Sequence, residues 1–91
     1  SRRCNMKQIA FDAVAFAQFA EWAALDRKLH QRIARLLTEA ARTPFEGTGK
    51  PEPLKANLAG CWSRRITDEH RLVYKVNDEQ ILVLSCRGHY E

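Results

Sequence analysis

Cys61–Arg87 reads CWSRRITDEHRLVYKVNDEQILVLSCR, and the punctuation of this stretch decides the fold. Three runs rich in β-branched, aromatic and aliphatic residues, CWSRRIT, HRLVYKV and QILVLSCR, are separated by Asp68-Glu69 and by the turn Asn77-Asp78-Glu79. Connections this short join neighbouring antiparallel strands, so the simplest arrangement is a meander. Side chains alternate faces along a strand. Trp62, Ile66, Leu72, Tyr74, Val76, Leu82, Leu84 and Cys86 share one parity and are expected to pack inward. Arg65, Arg71, Lys75, Arg87 and His89 share the other, together with the apolar Val73, Ile81 and Val83. This parity predicts a sheet with one largely basic face.

Upstream of the meander the periodicity is helical. Asp12 is placed to cap AVAFAQFAEWAAL, in which Phe16, Phe19, Ala20 and Ala23 recur at helical spacing and predict a core stripe. Asp26 is placed to cap a second helix, with Leu29, Ile33, Leu36, Leu37 and Ala40 inward and Arg27, Lys28, Arg32 and Arg35 outward. The short joint makes the pair a helical hairpin. Before it, Met6–Phe11 alternates as an edge strand with Ile9 and Phe11 on one face. Residues 1–5 show no periodicity and read as an N-terminal tail. The expectation is therefore an α+β fold, with an N-terminal strand and a helical hairpin packed on one face of an antiparallel β-sheet, and one domain over residues 6–91.

Between the helices and the meander, TPFEGTGKPEPLKANLAG (Thr43–Gly60) holds all three prolines and three of the four glycines. A loop of this length inside a compact domain is commonly functional. Proline restricts both itself and the residue before it, so Lys50 and Glu52 are both expected to be extended. The loop is stiffened where its glutamate sits.

Composition narrows the choices. The 91 residues, 45% of them apolar, suit one domain, and 15 Lys+Arg against 11 Asp+Glu favour a polyanionic partner. The cysteines are Cys4, Cys61 and Cys86, with no C-x-x-C and no paired histidine spacing, which argues for free thiols and against a disulfide framework or a zinc site. Cys61 and Cys86 read as small core residues. No apolar run approaches the ~20 residues that span a bilayer, and the start lacks a signal peptide's apolar core. A cytoplasmic protein is expected, with no cofactor and no metal.

A basic sheet face, one rigidly held carboxylate and a terminal His-Tyr pair fit RNA cleavage by acid and base. A base takes the proton of the 2′-hydroxyl, cations stabilise charge on the attacked phosphate, and an acid protonates the departing 5′-oxygen. Glu52 fits the base and His89 the acid, while Arg65, Arg71 and Lys55 fit the charge stabilisers. Arg71 is a better clamp than a lysine would be, because a guanidinium grips phosphate with two prongs. Plainer readings stand beside these: a solvated loop acid for Glu52, an exposed titrating ring for His89, and either a core plug or a base-stacking platform for Tyr90. His30 and His70 read as structural.

The motifs TPFEG, GKPEPLK, WSRRI, EHRLVY and the closing HY, in this order and spacing, resemble the YoeB toxins, a branch of the RelE-like toxins of bacterial toxin–antitoxin systems. The likeness runs from Met6 to Tyr90. It implies a RelE-like microbial ribonuclease-type fold and an endoribonuclease, an mRNA interferase, that enters the ribosomal A site and cuts messenger RNA. Carried over by position, the family's general base falls on Glu52, its phosphate-contacting residues on Lys55 and Arg65, its transition-state arginine on Arg71, its general acid on His89 and its terminal tyrosine on Tyr90. Gly88 stands where a bulkier residue is common, and Glu91 extends past the usual end. The resemblance also implies a cognate YefM-like antitoxin whose acidic tail wraps the toxin, and toxin dimers occur in the family. Two other functions compete: a non-catalytic toxin of the RelE/ParE fold, and a plain RNA- or ribosome-binding module.

Overall fold

A computed structural model of the chain describes residues 6–88. Strand β1 (Gln8–Phe11) leads into helices α1 (Ala13–Leu25) and α2 (Arg27–Arg42), followed by the two-residue strand β2 (Glu52–Pro53), a 3-10 turn at Ala56–Leu58, and strands β3 (Cys61–Arg65), β4 (Arg71–Val76) and β5 (Gln80–Ser85). The five strands form one sheet in the order β1-β5-β4-β3-β2. The meander β3-β4-β5 is antiparallel as expected, and β2 extends it antiparallel to β3.

The sheet is nevertheless mixed, because β1 runs parallel to β5. Alternation marks a strand but carries no direction; here Ile9 stands opposite Ile81 and Phe11 opposite Val83, so the apolar side of both strands meets the same core. The two helices and the long loop supply the crossover that parallel pairing demands.

Both helices begin where the aspartates place them. The Val14 N–H donates to Asp12 Oδ2 at 3.1 Å and the Leu29 N–H to Asp26 Oδ1 at 3.1 Å. Ile33, Leu36, Leu37 and Ala40 of α2 are buried, with Leu29 packed at their edge. On α1 the expected stripe is wrong: Phe16 is 58% exposed and Ala20 and Ala23 face solvent, while Ala15 and Trp22 are buried and Phe19 is half-buried. Glu21 is the one charged residue in α1, so periodicity there selects no face. The indole decides it, because burying Trp22 also lets its Nε1 donate to the Cys86 carbonyl at 3.0 Å.

Strand β5 departs from the expected parity as well. Ile81 and Val83, not Leu82 and Leu84, enter the helix-covered core. Tyr74 pairs with Val83 but Val73 pairs with Ser85, a register shift that inserts one extra residue at Leu84. Parity inverts across that bulge, which returns Cys86 to the core beside Leu72. On the opposite face Leu54, Cys61 and Val73, with Leu58 and Leu84 against them, form a second small apolar cluster under the loop. Cys61 and Cys86 are buried free thiols, as expected, and burial pushes the Cys86 thiol up to about 11. Cys4 lies outside the described residues.

Candidate functional site

The loop after α2 is secured from beneath by one side chain. Arg64 belongs to β3 and is fully buried. Its Nη2 donates to the carbonyls of Thr43 (2.5 Å) and Glu46 (2.9 Å), its Nη1 to the Thr48 carbonyl (3.0 Å), and its Nε to the Tyr74 hydroxyl (2.9 Å). The Tyr74 hydroxyl donates in turn to the Pro44 carbonyl at 2.6 Å. Across the loop, Glu39 Oε2 accepts the Thr48 N–H at 2.9 Å and Oε1 lies 3.8 Å from Arg64 Nη1. Those Thr48 bonds, followed by the charge of Arg64, hold the Glu39 carboxyl below the usual carboxylate range. Burial raises the Tyr74 phenol against the opposing influence of Arg64.

The anchored loop then crosses tightly over β3. Gly49 has φ +88°, and a Cβ there would lie 3.1 Å from both Arg64 Cβ and the Arg65 carbonyl oxygen. That close approach lets the Gly49 carbonyl accept the Arg65 N–H at 2.6 Å. Lys50 follows with φ 53°, so it is left-handed and not extended as the sequence suggested. The sharp reversal over β3 requires it, whereas Glu52 is extended as expected and pairs with Ser63.

This path brings Glu52 over a cleft of about 190 Å³ lined by Gly49, Lys50, Glu52, Ser63, Arg65 and Arg71. Arg65 and Arg71 are direct partners across β3 and β4. Arg65 Nη2 is 2.9 Å from Asp68 Oδ1. Arg71 Nη1 donates to the carbonyls of Thr67 (2.6 Å), His70 (3.2 Å) and Asp68 (3.3 Å). The turn between the strands thus orients both guanidiniums. Among the described residues lining the cleft, three are cations and Glu52 is the single acid.

Of the residues singled out in the sequence, Glu52, Arg65 and Arg71 meet in this cleft, and Lys55 does not line it. Lys55 is exposed and caps the 3-10 turn one residue past Leu54. His89 and Tyr90 lie outside the described residues. The residue before them is firmly placed: the Gly88 N–H donates to His70 Nδ1 at 2.8 Å, and the Gly88 carbonyl accepts the Arg71 N–H at 3.0 Å. Arg87, expected on the basic face, turns instead to α1, where Nη1 lies 3.1 Å from Glu21 Oε1 and the guanidinium covers the Trp22 ring at 5.6 Å. Arg87 lies past the end of β5 at Ser85, where strand alternation no longer assigns a face.

Sequence reasoning missed Lys50, Ser63 and Arg64. Arg64 shares the inward parity of Trp62 and Ile66, and that was the available signal: a charged side chain at a core position needs partners. Among the described residues no group of three His, Cys, Asp or Glu side chains is placed to hold a metal ion, and no helix is long and apolar enough to cross a membrane.

The profile of the YoeB-like toxin of bacterial type II toxin–antitoxin systems matches residues 11–90. The chain belongs to the YoeB-like toxins. A toxin YoeB of Mycobacterium bovis is 52% identical over 85 residues, which cover 93% of this chain and 100% of that protein. Among solved structures, a YoeB/ParE toxin from Agrobacterium tumefaciens superposes with a TM-score of 0.88 at 41% identity, covering 91% of this chain and 99% of the other. The toxin in a heterotetrameric YoeB–YefM toxin–antitoxin complex from Staphylococcus aureus superposes with a TM-score of 0.84 at 45% identity, covering 92% and 98%. Two helices on a mixed five-stranded sheet are thus the YoeB form of the RelE-like α+β fold.

Proposed function

We propose that this YoeB-like toxin is an endoribonuclease that cuts messenger RNA in the ribosomal A site and so stops translation. The observation that carries the reading is the meeting of one carboxylate, Glu52, with two directly paired arginines, Arg65 and Arg71, in one cleft of about 190 Å³. Like charges directly opposite across strands cost stability. A ligand that carries negative charge offsets that cost.

In this reading Glu52 takes the proton of the 2′-hydroxyl, which attacks the adjacent phosphorus. Arg71 and Arg65 stabilise the charge that gathers on the non-bridging oxygens, His89 returns a proton to the departing 5′-oxygen, and Tyr90 completes the site. Lys50 and Lys55 draw in the backbone on either side. The products are a 2′,3′-cyclic or 3′-phosphate and a 5′-hydroxyl. Among the described residues lining the cleft Glu52 is the single carboxylate, which supports a step without a metal ion. Residues 6–91 act as one catalytic domain in the cytoplasm, where the ribosome is found. The YefM seen with the S. aureus toxin supports a YefM-like antitoxin as partner, and a second copy of the chain is a further one.

The test is to map RNA ends after reaction on programmed ribosomes. Cuts within the A-site codon that leave 5′-hydroxyl ends, and that vanish with Glu52→Ala while ribosome binding persists, are expected. Undiminished cutting by Glu52→Ala removes that carboxylate from the mechanism.

A further inference from the structure

His70 sits outside the cleft, yet it touches the one described residue that leads into His89. Its Nδ1 accepts the Gly88 N–H at 2.8 Å, and the next residue along β4, Arg71, gives its own N–H to the Gly88 carbonyl at 3.0 Å. Both polar groups of Gly88 are therefore held by consecutive residues, His70 just before β4 and Arg71 at its start. A backbone N–H is always a donor, so Nδ1 must present a lone pair and the ring must be neutral with its proton on Nε2.

The ring itself is held from several sides. Trp22 of α1 meets it edge to face at 4.9 Å between centroids, and the Thr67 hydroxyl accepts the His70 N–H at 3.2 Å. Asp26 at the start of α2 and Asp68 and Glu69 of the β3–β4 turn line the cleft it shares with Trp22. The cations nearby are Arg71, whose Nη1 binds the His70 carbonyl, and Arg87, which covers the same indole. Gly88 is at φ +80° with nothing within 4 Å of a Cβ position, so neither strain nor crowding from neighbours fixes its conformation. The two hydrogen bonds do.

We propose that His70 is a positioning residue: its neutral ring latches Gly88, the residue that precedes His89 in the chain, beside the backbone of Arg71, and protonation of the ring releases that latch. A protonated ring offers a second donor to the Gly88 N–H where an acceptor stood, which replaces attraction with repulsion. The proposal rests on the ribonuclease reading above, in which His89 is the general acid. A small displacement of a reacting group is enough to cost about a hundredfold in rate.

The structural half is tested without RNA. In the ¹⁵N-labelled full chain, a scalar coupling across the hydrogen bond between the Gly88 nitrogen and His70 Nδ1 is expected, and it should vanish as the His70 ring titrates. A Gly88 resonance indifferent to that titration overturns the latch. The catalytic half uses two variants on programmed ribosomes. His70→Phe keeps a ring against Trp22 but offers no acceptor, and should lower kcat about ten- to a hundredfold with KM changed less than about threefold. His70→Asn keeps an acceptor and does not titrate. It should retain kcat within about threefold, and lose the acid-side fall that follows the His70 titration in the unaltered toxin. Unchanged kcat in His70→Phe, or an unchanged acid-side fall in His70→Asn, overturns the positioning role. If the unaltered toxin cuts no RNA, the ribonuclease reading fails and the Gly88 resonance alone decides the latch.

Discussion

Arg65 and Arg71 stand directly opposite one another at the end of the β3–β4 ladder, two cations where packing alone would favour one or none. Their partners on the protein are peripheral: Arg65 meets an exposed Asp68, and Arg71 meets main-chain carbonyls of the adjoining turn. On the proposed reading, the phosphate backbone of RNA offsets the cost of such a pair.

Replacing Arg71 should therefore separate activity from stability. Arg71→Gln is expected to lower kcat for messenger cleavage about 10²- to 10³-fold, while unfolding free energy in urea changes by less than about 1 kcal/mol. Equal losses in both measurements would make Arg71 a structural residue.

Arg64 should behave in the opposite way. Arg64→Met removes the partner of three main-chain carbonyls and of the Tyr74 hydroxyl, and is expected to cost about 3 kcal/mol or more in urea unfolding. Tyr74→Phe should cost about 1–2 kcal/mol. The two side chains share a bond, so the double variant should lose measurably less than the sum. Strict additivity would show that they do not act as one clamp.

Stability should depend on pH at both extremes. The folded Glu39 carboxyl lies below its ordinary value of 4.5, so its contribution is complete above that value and is lost as pH falls through the lower folded one. Glu39→Gln should flatten this acid limb in thermal melts taken from pH 6 downward. The Cys86 thiol is raised from 9.0 to about 11, so its contribution is complete below 9.0 and is lost as pH climbs toward 11. Cys86→Ala should flatten that alkaline limb, to which the raised phenol of Tyr74 also contributes.

Two glycines with similar backbone angles should respond differently. Gly49→Ala sets a Cβ 3.1 Å from Arg64 Cβ and the Arg65 carbonyl, so it is expected to cost about 2–3 kcal/mol and to lower cleavage by misplacing Glu52. Gly88→Ala meets open space at φ +80° and should cost about 1 kcal/mol, the backbone penalty alone. Circular dichroism melts of the two variants check the order.

Chelation supplies a further check. Cleavage of RNA by the purified toxin should proceed unchanged in EDTA. Loss of cutting that a divalent ion restores would replace the acid–base scheme with a metal-assisted one.

Much of this was legible in the sequence because several signals were local. Asp12 and Asp26 mark their helices by capping, the turns at Asp68-Glu69 and Asn77-Asp78-Glu79 mark the meander, and the prolines around Glu52 mark a stiff segment. What escaped depended on distant partners. The direction of β1 is set by β5, more than sixty residues on in the chain, and the face of α1 by where an indole finds a carbonyl. Pairing of Ile81 with Val76 put the odd-numbered Ile81 and Val83 inward until the extra residue at Leu84 restored the expected side for Cys86, and Arg87, past the end of β5, turned to α1. Glu52, Arg65 and Arg71 were found because the sheet face that unites them lies before that bulge. Lys50 was passed over because proline grammar describes extended chain, and the reversal at Gly49 overrode it.

The parallel pairing of β1 with β5 also sets an order of events during synthesis. The first strand to emerge waits for the last, which must slot between it and β4 before the sheet is whole. Closure over so great a chain separation is slow compared with forming the helices. A nascent copy therefore carries an uncovered strand edge until β5 itself has been made, and the toxin's sheet is whole only after every other strand has already left the ribosome.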